Sequence, residues 1–337
     1  MSAQFPLDFP CAFGSPTHVG DFRLLPEDFQ VDEVLGFEPQ EEGEHVYLHI
    51  RKRGENTAWV AEQIAHLAQV SINDVGYGGR KDRHAVTTQW FSVYLPKGQE
   101  PDWQLLNSDS VQLLARHRHS RKLRRGDHEE NKFVIRLRNV QAAAVSDVEQ
   151  RLQLISVQGV PNYFGEQRFG HQGNNLVLAQ QLFAGKAIRD KQKRGLVLSA
   201  ARSYLFNLVV AARVQESNWS MLLSGDPEAA PSGPLWGRGR LTSSSATLAV
   251  EQEALKDWTE CCNALEHVGL QQERRSLVLR PQALSWHWED GVTAQHLVIS
   301  FALGSGEFAT ALLREILVLQ SAPTNLVGAA EGKPEAQ

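Results

Sequence analysis

Short alternating strands interleaved with helices predict an α+β fold for this chain of 337 residues. Two observations carry that reading. Apolar residues alternate with polar ones at period two in separated stretches, such as Val46-Leu48-Ile50 and Phe133-Ile135-Leu137. Elsewhere apolar residues recur at helical spacing, without the regular strand–helix–strand repeat of a doubly wound sheet. The length suffices for two cores, and 42% hydrophobic with 22% charged residues is an ordinary globular composition.

The elements follow in order. Pro26 before Glu27-Asp28 marks a turn, after which Phe29, Val31 and Glu33 alternate in a short strand, with Phe29 reading most simply as core. Val46, Leu48 and Ile50 alternate with Tyr47, His49 and Arg51 in a half-buried strand, whose polar face Arg51-Lys52-Arg53 extends. From Thr57 to Val70 the residues Val60, Ile64 and Leu67 share one helical face, with Thr57 as N-cap. Between that helix and a strand over Thr88–Leu95 stands Gly76-Tyr77-Gly78-Gly79-Arg80-Lys81-Asp82-Arg83-His84-Ala85. Three glycines in four positions let the backbone take positive φ or approach a ligand closely. The cations Arg80, Lys81 and Arg83 surround one carboxylate, Asp82, and favour its ionised form. A solvated ion pair is the plainer reading of such a turn; a helix–loop–strand corner is also where a ligand can reach.

Ser146 and Glu149 form a capping box for a helix carrying Val148, Leu152 and Ile155, which Gly159 ends. Val160-Pro-Asn-Tyr-Phe-Gly-Glu-Gln-Arg-Phe-Gly170 is rich in aromatics, which read as packing residues. Ser199 is expected to cap a further helix, and residues 223–247 to form a Gly/Pro/Ser-rich loop. The apolar run Leu196–Ala212 is interrupted by Arg202 and reads as too short for a bilayer. A strand over Val298–Leu303, a turn at 304–308 and a helix over Ala309–Leu319 close the folded part. A disordered tail is expected from Ser321.

The net charge of −5 conceals an uneven distribution. Between Arg116 and Arg138 stand nine Lys/Arg against three acids, so this stretch carries +6 and the remainder −11. With Arg136 and Arg138 on the polar side of a strand, it suits a polyanion, although a solvated charged face is slightly preferred for the stretch taken alone. A second basic cluster stands at Lys186–Arg194. Cys11, Cys261 and Cys262 fit neither a disulfide framework nor a metal spacing. Met1–Pro10 lacks a basic segment and an apolar core, so no signal peptide is read; no membrane and a cytoplasmic location are expected.

Gly79-Arg-Lys-Asp-Arg83 followed by Ala85, Thr88 and Gln89 resembles the catalytic motif of the TruD family of tRNA pseudouridine synthases. Further motifs agree from about Arg23 to Glu315: Arg23 with Leu25-Pro-Glu-Asp-Phe29-x-Val-x-Glu33, Asn131-x-Phe133, the segment 160–170, the helix from Ser199 to Asn207, and Ser232-Gly-Pro-Leu-Trp-Gly237. Glu130 stands where the family usually has a glycine before that Asn.

The resemblance implies Asp82 as nucleophile, Phe29 lining the uridine pocket, Asn131 and Phe133 near the target base, and Phe308 in the active site. Arg80, Lys81 and Arg83 would bind beside them. It implies tRNA as partner, uridine 13 of the D-arm as target, and neither metal nor cofactor. The oligomeric state is left open, with a monomer compatible. The implied architecture is an α+β, antiparallel-sheet catalytic domain over 1–158 and 304–320, an inserted second α+β domain over 159–303, and a tail over 321–337. Two rivals stand beside it. A non-catalytic RNA-binding protein would use the same basic rows. A phosphate-transferring enzyme using the glycine turn is disfavoured, since Gly-x-x-x-x-Gly-Lys-Ser/Thr is lacking.

Overall fold

The computed structural model describes residues 5–96, 99–292 and 294–321, so the expected tail lies, from 322 on, outside the described residues. The chain divides into two compact units. A sheet unit comprises 18–146, 281–306 and 318–321; a helical unit comprises 5–17, 147–280 and 307–317.

The sheet unit begins with β1 (Val19–Phe22), β2 (Phe29–Val34), β3 (His45–Arg53), α1 (Thr57–Ala68), β4 (Val75–Tyr77), β5 (Val86–Tyr94), β6 (Val111–His119) and β7 (Glu130–Val140). The helical unit follows with α2 (Val145–Gln158), β8 (Val160–Pro161), α3 (Asn174–Phe183), α4 (Lys191–Gln215), β9 (Ser232–Leu235), α5 (Ser245–Leu255), α6 (Thr259–Glu266), β10 (Glu273–Ser276) and β11 (Val278–Leu279). The chain then adds β12 (Gln282–Asp290) and β13 (Gln295–Gly304) to the sheet, α7 (Ala309–Leu313) to the helical unit, and β14 (Val318–Ser321) to the sheet.

Among the described residues the main sheet has ten strands, in the order β12-β13-β7-β2-β5-β3-β6, with β1 between β7 and β14 and β4 beside β5. Every pairing is antiparallel except β2–β5 and β1–β14. This is the α+β, mainly antiparallel architecture expected.

One sheet face packs on α1. Val46, Leu48 and Ile50 of β3 meet Phe91 and Val93 of β5 and Val60, Ala61 and Ile64 of α1, all nearly or fully buried. Each of these side chains except that of Ala61 contributes about 1.5–3 kcal/mol through burial. Lys52 continues the same inward row and is fully buried, so the expectation that it extends a polar face is corrected. The reason is the period of two, which turns alternate side chains to one face. On the opposite face Tyr47 is buried with Leu35 and Leu123 and stacks on His119 at 4.9 Å.

Much of the basic stretch is internally neutralised. Arg138 pairs with the fully buried Asp28 at 2.7 Å, Arg136 with Glu289 at 2.9 Å, and Arg118 with Glu100 at 2.6 Å; Arg116 also bonds Glu100. Burial raises the Glu100 carboxyl, but hydrogen bonds from Arg116, Trp103 and Arg118 outweigh that and pull it to about 2. Acids distant in sequence thus claim arginines expected to face phosphates.

Several helix ends differ from the sequence reading. Asn56 is the N-cap of α1, because the Thr57 hydroxyl is engaged elsewhere. A short 3₁₀ turn leads into α2, which places Ser146 inside the helix; Gly159, at φ +77°, follows its last residue. The N-cap of α4 is Asp190, accepting from Gln192 and Lys193 at 2.8 and 3.1 Å, so Ser199 is mid-helix. With 25 residues, α4 is long and apolar enough by length and composition to cross a bilayer, which corrects the shorter run expected; 67% of its apolar window is buried inside the protein. It carries two core clusters of the helical unit, one with Tyr163, Phe164 and Phe169, the other with Leu255, Cys262 and Leu265. A helix buried on most of its circumference has no need of a polar face. Ser232–Leu235 is a strand paired with β10 rather than loop, and the closing helix stops at Leu313.

Candidate active site

The loop between β4 and β5 carries Asp82. None of Gly76, Gly78 and Gly79 takes positive φ. Gly76 is required by close approach: a Cβ there would stand 2.2 Å from the Leu123 carbonyl oxygen.

Buried side chains hold this loop at three main-chain points. The Gln89 amide donates to the Gly79 carbonyl at 3.2 Å. The Thr57 hydroxyl accepts from the Lys81 N–H at 3.0 Å and donates to Gln89 Oε1 at 2.8 Å. Lys52 Nζ donates to the Asp82 carbonyl at 3.0 Å. Thr57 and Gln89 are 2% and 0% exposed, so water does not compete for these bonds.

The Asp82 carboxylate, 41% exposed, meets Arg23 Nη2 at 2.7 Å. Arg80, Lys81 and Arg83 adjoin Asp82 in the sequence, yet the partner is Arg23, 59 residues away. The structure turns Lys81 away to Glu33, where the two side chains, 8% and 0% exposed, form an ion pair. Arg83 Nε donates to the Gly54 carbonyl at 3.2 Å, and Arg80 is exposed with no side-chain partner among the described residues. Arg23 itself sits at φ +59°, a left-handed conformation costing about 1–2 kcal/mol for a residue with a Cβ. Its guanidinium lies 3.9 Å from the centre of the Phe29 ring and 4.7 Å from that of Phe22. Such cation–π contacts keep the guanidinium beside Asp82.

Phe29, 3% exposed, begins an aromatic row along the sheet: Phe29 to Phe133 at 6.0 Å, and Phe133 to Phe301 at 5.2 Å and nearly parallel. Asn131 pairs with Glu33 in the β2–β7 register, and its Nδ2 donates to His128 Nε2 at 3.1 Å. Its Oδ1 has no partner among the described residues. Burial, then the charge of Lys81, pushes His128 below its ordinary value, which suits an imidazole that accepts a hydrogen bond. A Cβ at Gly78 would lie 3.1 Å from His128 and 3.4 Å from Glu33. The sheet unit therefore brings together Asp82, Lys81, Phe29, Phe133 and Asn131, and adds Arg23, Glu33, His128 and Lys52.

Phe308 belongs to the helical unit, where it precedes α7 and packs 5.9 Å from Phe164, with the Arg168 guanidinium 5.7 Å from its ring. Of the residues missed, Lys52 had a signal, since it falls in phase with Val46, Leu48 and Ile50. Glu33 had the same kind of signal, since it falls in phase with Phe29 and Val31; His128 had none.

An open groove of about 420 Å³, lined by Arg51, Arg53, Ser108 and Gln112 among others, does not include Asp82. No cluster of three or more His, Cys, Asp or Glu suited to a metal occurs among the described residues.

Comparison with known proteins adds a second line of observation. The family model of tRNA pseudouridine synthase D (TruD) matches residues 11–189. The chain is 55% identical over 332 residues to the tRNA pseudouridine synthase D of Cellvibrio japonicus, covering 97% of this chain and 98% of that protein. It is 46% identical over 335 residues to the tRNA pseudouridine synthase D of Aeromonas hydrophila, covering 92% and 94%. A solved structure from Methanosarcina mazei, assigned to tRNA pseudouridine synthase D, superposes with a TM-score of 0.71 over 91% of this chain and 95% of that one, at 19% identity, and so shares its fold. Placed beside the loop that carries Asp82, these matches establish that the chain belongs to the tRNA pseudouridine synthase D (TruD) family of isomerases.

Proposed function

We propose that the chain converts a uridine of tRNA, uridine 13 of the D-arm, to pseudouridine with Asp82 as the nucleophile. The observation that carries this reading is the half-exposed Asp82 carboxylate, held by Arg23 and standing at the head of an aromatic row. Isomerisation breaks the bond between N1 of uracil and C1′, turns the base, and joins its C5 to C1′, with the C5 proton passing to solvent and N1 taking a proton up. A carboxylate forming a covalent adduct with the nucleoside supplies the step that separates these events.

The uridine must first leave the base stack, at a cost of a few kcal/mol that stacking on aromatic side chains and hydrogen bonds to the base edge offset. Phe29, under the Arg23 guanidinium, and its neighbour Phe133 are the aromatic candidates, at 3% and 8% exposed in this structure. Asn131 Oδ1, without a partner among the described residues, is an acceptor matched to the N3–H of uracil. For Phe308 the assignment rests on its motif alone. Arg80 and Arg83, exposed beside Asp82, supply sequence-independent attraction to phosphates that weakens with salt.

Phe29→Ala separates a pocket role from a packing role. Burial predicts a loss of about 3–5 kcal/mol in urea unfolding, and the proposal predicts a further loss of turnover after correction for the folded fraction. Wild-type turnover per folded molecule would leave Phe29 a core residue only. The function itself is tested by mapping pseudouridine in tRNA from cells with and without the gene: position 13 should revert to uridine. Retention of pseudouridine there, with loss elsewhere, would change the assigned target.

A further inference from the structure

The inward row of β3 ends on a cation. Val46, Leu48 and Ile50 are followed at the same phase by Lys52, and all four are fully buried. Lys52 Nζ donates to the main-chain carbonyls of Glu55 at 2.8 Å and of Asp82 at 3.0 Å. Among the described residues no carboxylate lies within ion-pair distance of it; the charges that face it are Asp82 and Glu55 on one side and Lys81 on the other. A buried ammonium that touches two carbonyls and no carboxylate is an unfavourable core residue, and an apolar side chain would suit the row better. The position therefore makes sense through what it holds, which is the main chain of the residue read above as nucleophile.

We propose that Lys52 is a positioning residue for the reaction: its ammonium fixes the Asp82 carbonyl and thereby the direction in which the Asp82 carboxylate points. Gln89 and Thr57 hold Gly79 and Lys81, which leaves Lys52 as the clamp on Asp82 itself. The inference rests on Asp82 acting as nucleophile. It has a pH consequence. Burial pushes the ammonium down to about 8, further than the attraction of Asp82 holds it up. The clamp is charged below that pH, and loses its charge and one donor as pH rises through it.

The test is single-turnover conversion of a tRNA transcript by wild type, Lys52→Met, Lys52→Gln and Asp82→Asn between about pH 6.5 and 9, with transcript affinity measured in parallel. Wild type should slow as pH rises through about 8. Lys52→Met should bind the transcript within about threefold of wild type, react about 100-fold more slowly, and lack that alkaline fall, because a displacement of about 1 Å at a reacting group costs rate on this scale. Lys52→Gln, which keeps an amide NH2 donor but no charge, should be intermediate and equally insensitive to pH.

Wild-type rates in both folded variants would overturn the proposal. So would a flat wild-type profile through pH 8, an outcome that depends on no variant folding. Conversion by Asp82→Asn would instead overturn the nucleophile reading, whereas an inert Asp82→Asn beside a fully active Lys52→Met removes the Lys52 proposal alone.

Discussion

Asp82→Asn should bind tRNA with wild-type affinity and release no measurable tritium from tRNA labelled at uridine C5. The two side chains have nearly the same shape, so Arg23 keeps a hydrogen-bond acceptor 2.7 Å away and the loop keeps its three main-chain anchors. What disappears is the negative oxygen proposed to form the adduct. An amide is a far weaker nucleophile, and loss of a covalent nucleophile lowers rate by roughly 10⁴-fold or more. On the proposed reading affinity comes from phosphate contacts and the flipped base, neither of which needs the charge. Steady release of tritium by the variant would show that Asp82 is not the nucleophile. Lost affinity together with lost turnover would point to a collapsed loop, which the thermal unfolding curve would reveal.

The second large effect concerns stability. Glu33 is 4% exposed; its Oε1 accepts from the Trp90 N–H at 3.0 Å and its Oε2 from Lys81. Glu33→Gln leaves the Lys81 ammonium beside a neutral amide with little access to water. Removing one partner of a buried pair costs about 3–5 kcal/mol, equivalent to a fall in Tm of about 10 °C for a domain of this size. Because the penalty arises from the stranded charge, Glu33→Gln with Lys81→Met should melt above the single variant. A single variant that melts with wild type would show that the pair contributes nothing net. A double variant no better than the single one would place the loss in the bond to Trp90.

The fold was legible where a period of two or of 3.6 ran unbroken. Phe29, Val31 and Glu33 alternate, Phe133, Ile135 and Leu137 alternate, and Val60 and Ile64 share a helix face; each of them is buried. Helix ends were less legible, because capping depends on a hydroxyl being free. Thr57 looked like a cap, but its hydroxyl bridges Lys81 and Gln89, which lie 24 and 32 residues away along the chain. The arginine row was misread for the same reason: the acids that neutralise Arg116, Arg136 and Arg138 are distant in sequence.

At the candidate site the residue types around Asp82 could be read off the chain, since a carboxylate amid glycines and cations is a local pattern. Which cation meets it could not. Three neighbours in the motif competed for that place, yet the partner is Arg23, 59 residues away, while Lys81 turns to Glu33 and Arg83 to a carbonyl. Periodicity reports which face a side chain occupies, and a motif reports which chemistry is at hand. The pairing of charges depends on which strands become neighbours and how deeply each group is shielded from water, and those follow only once the sheet has formed.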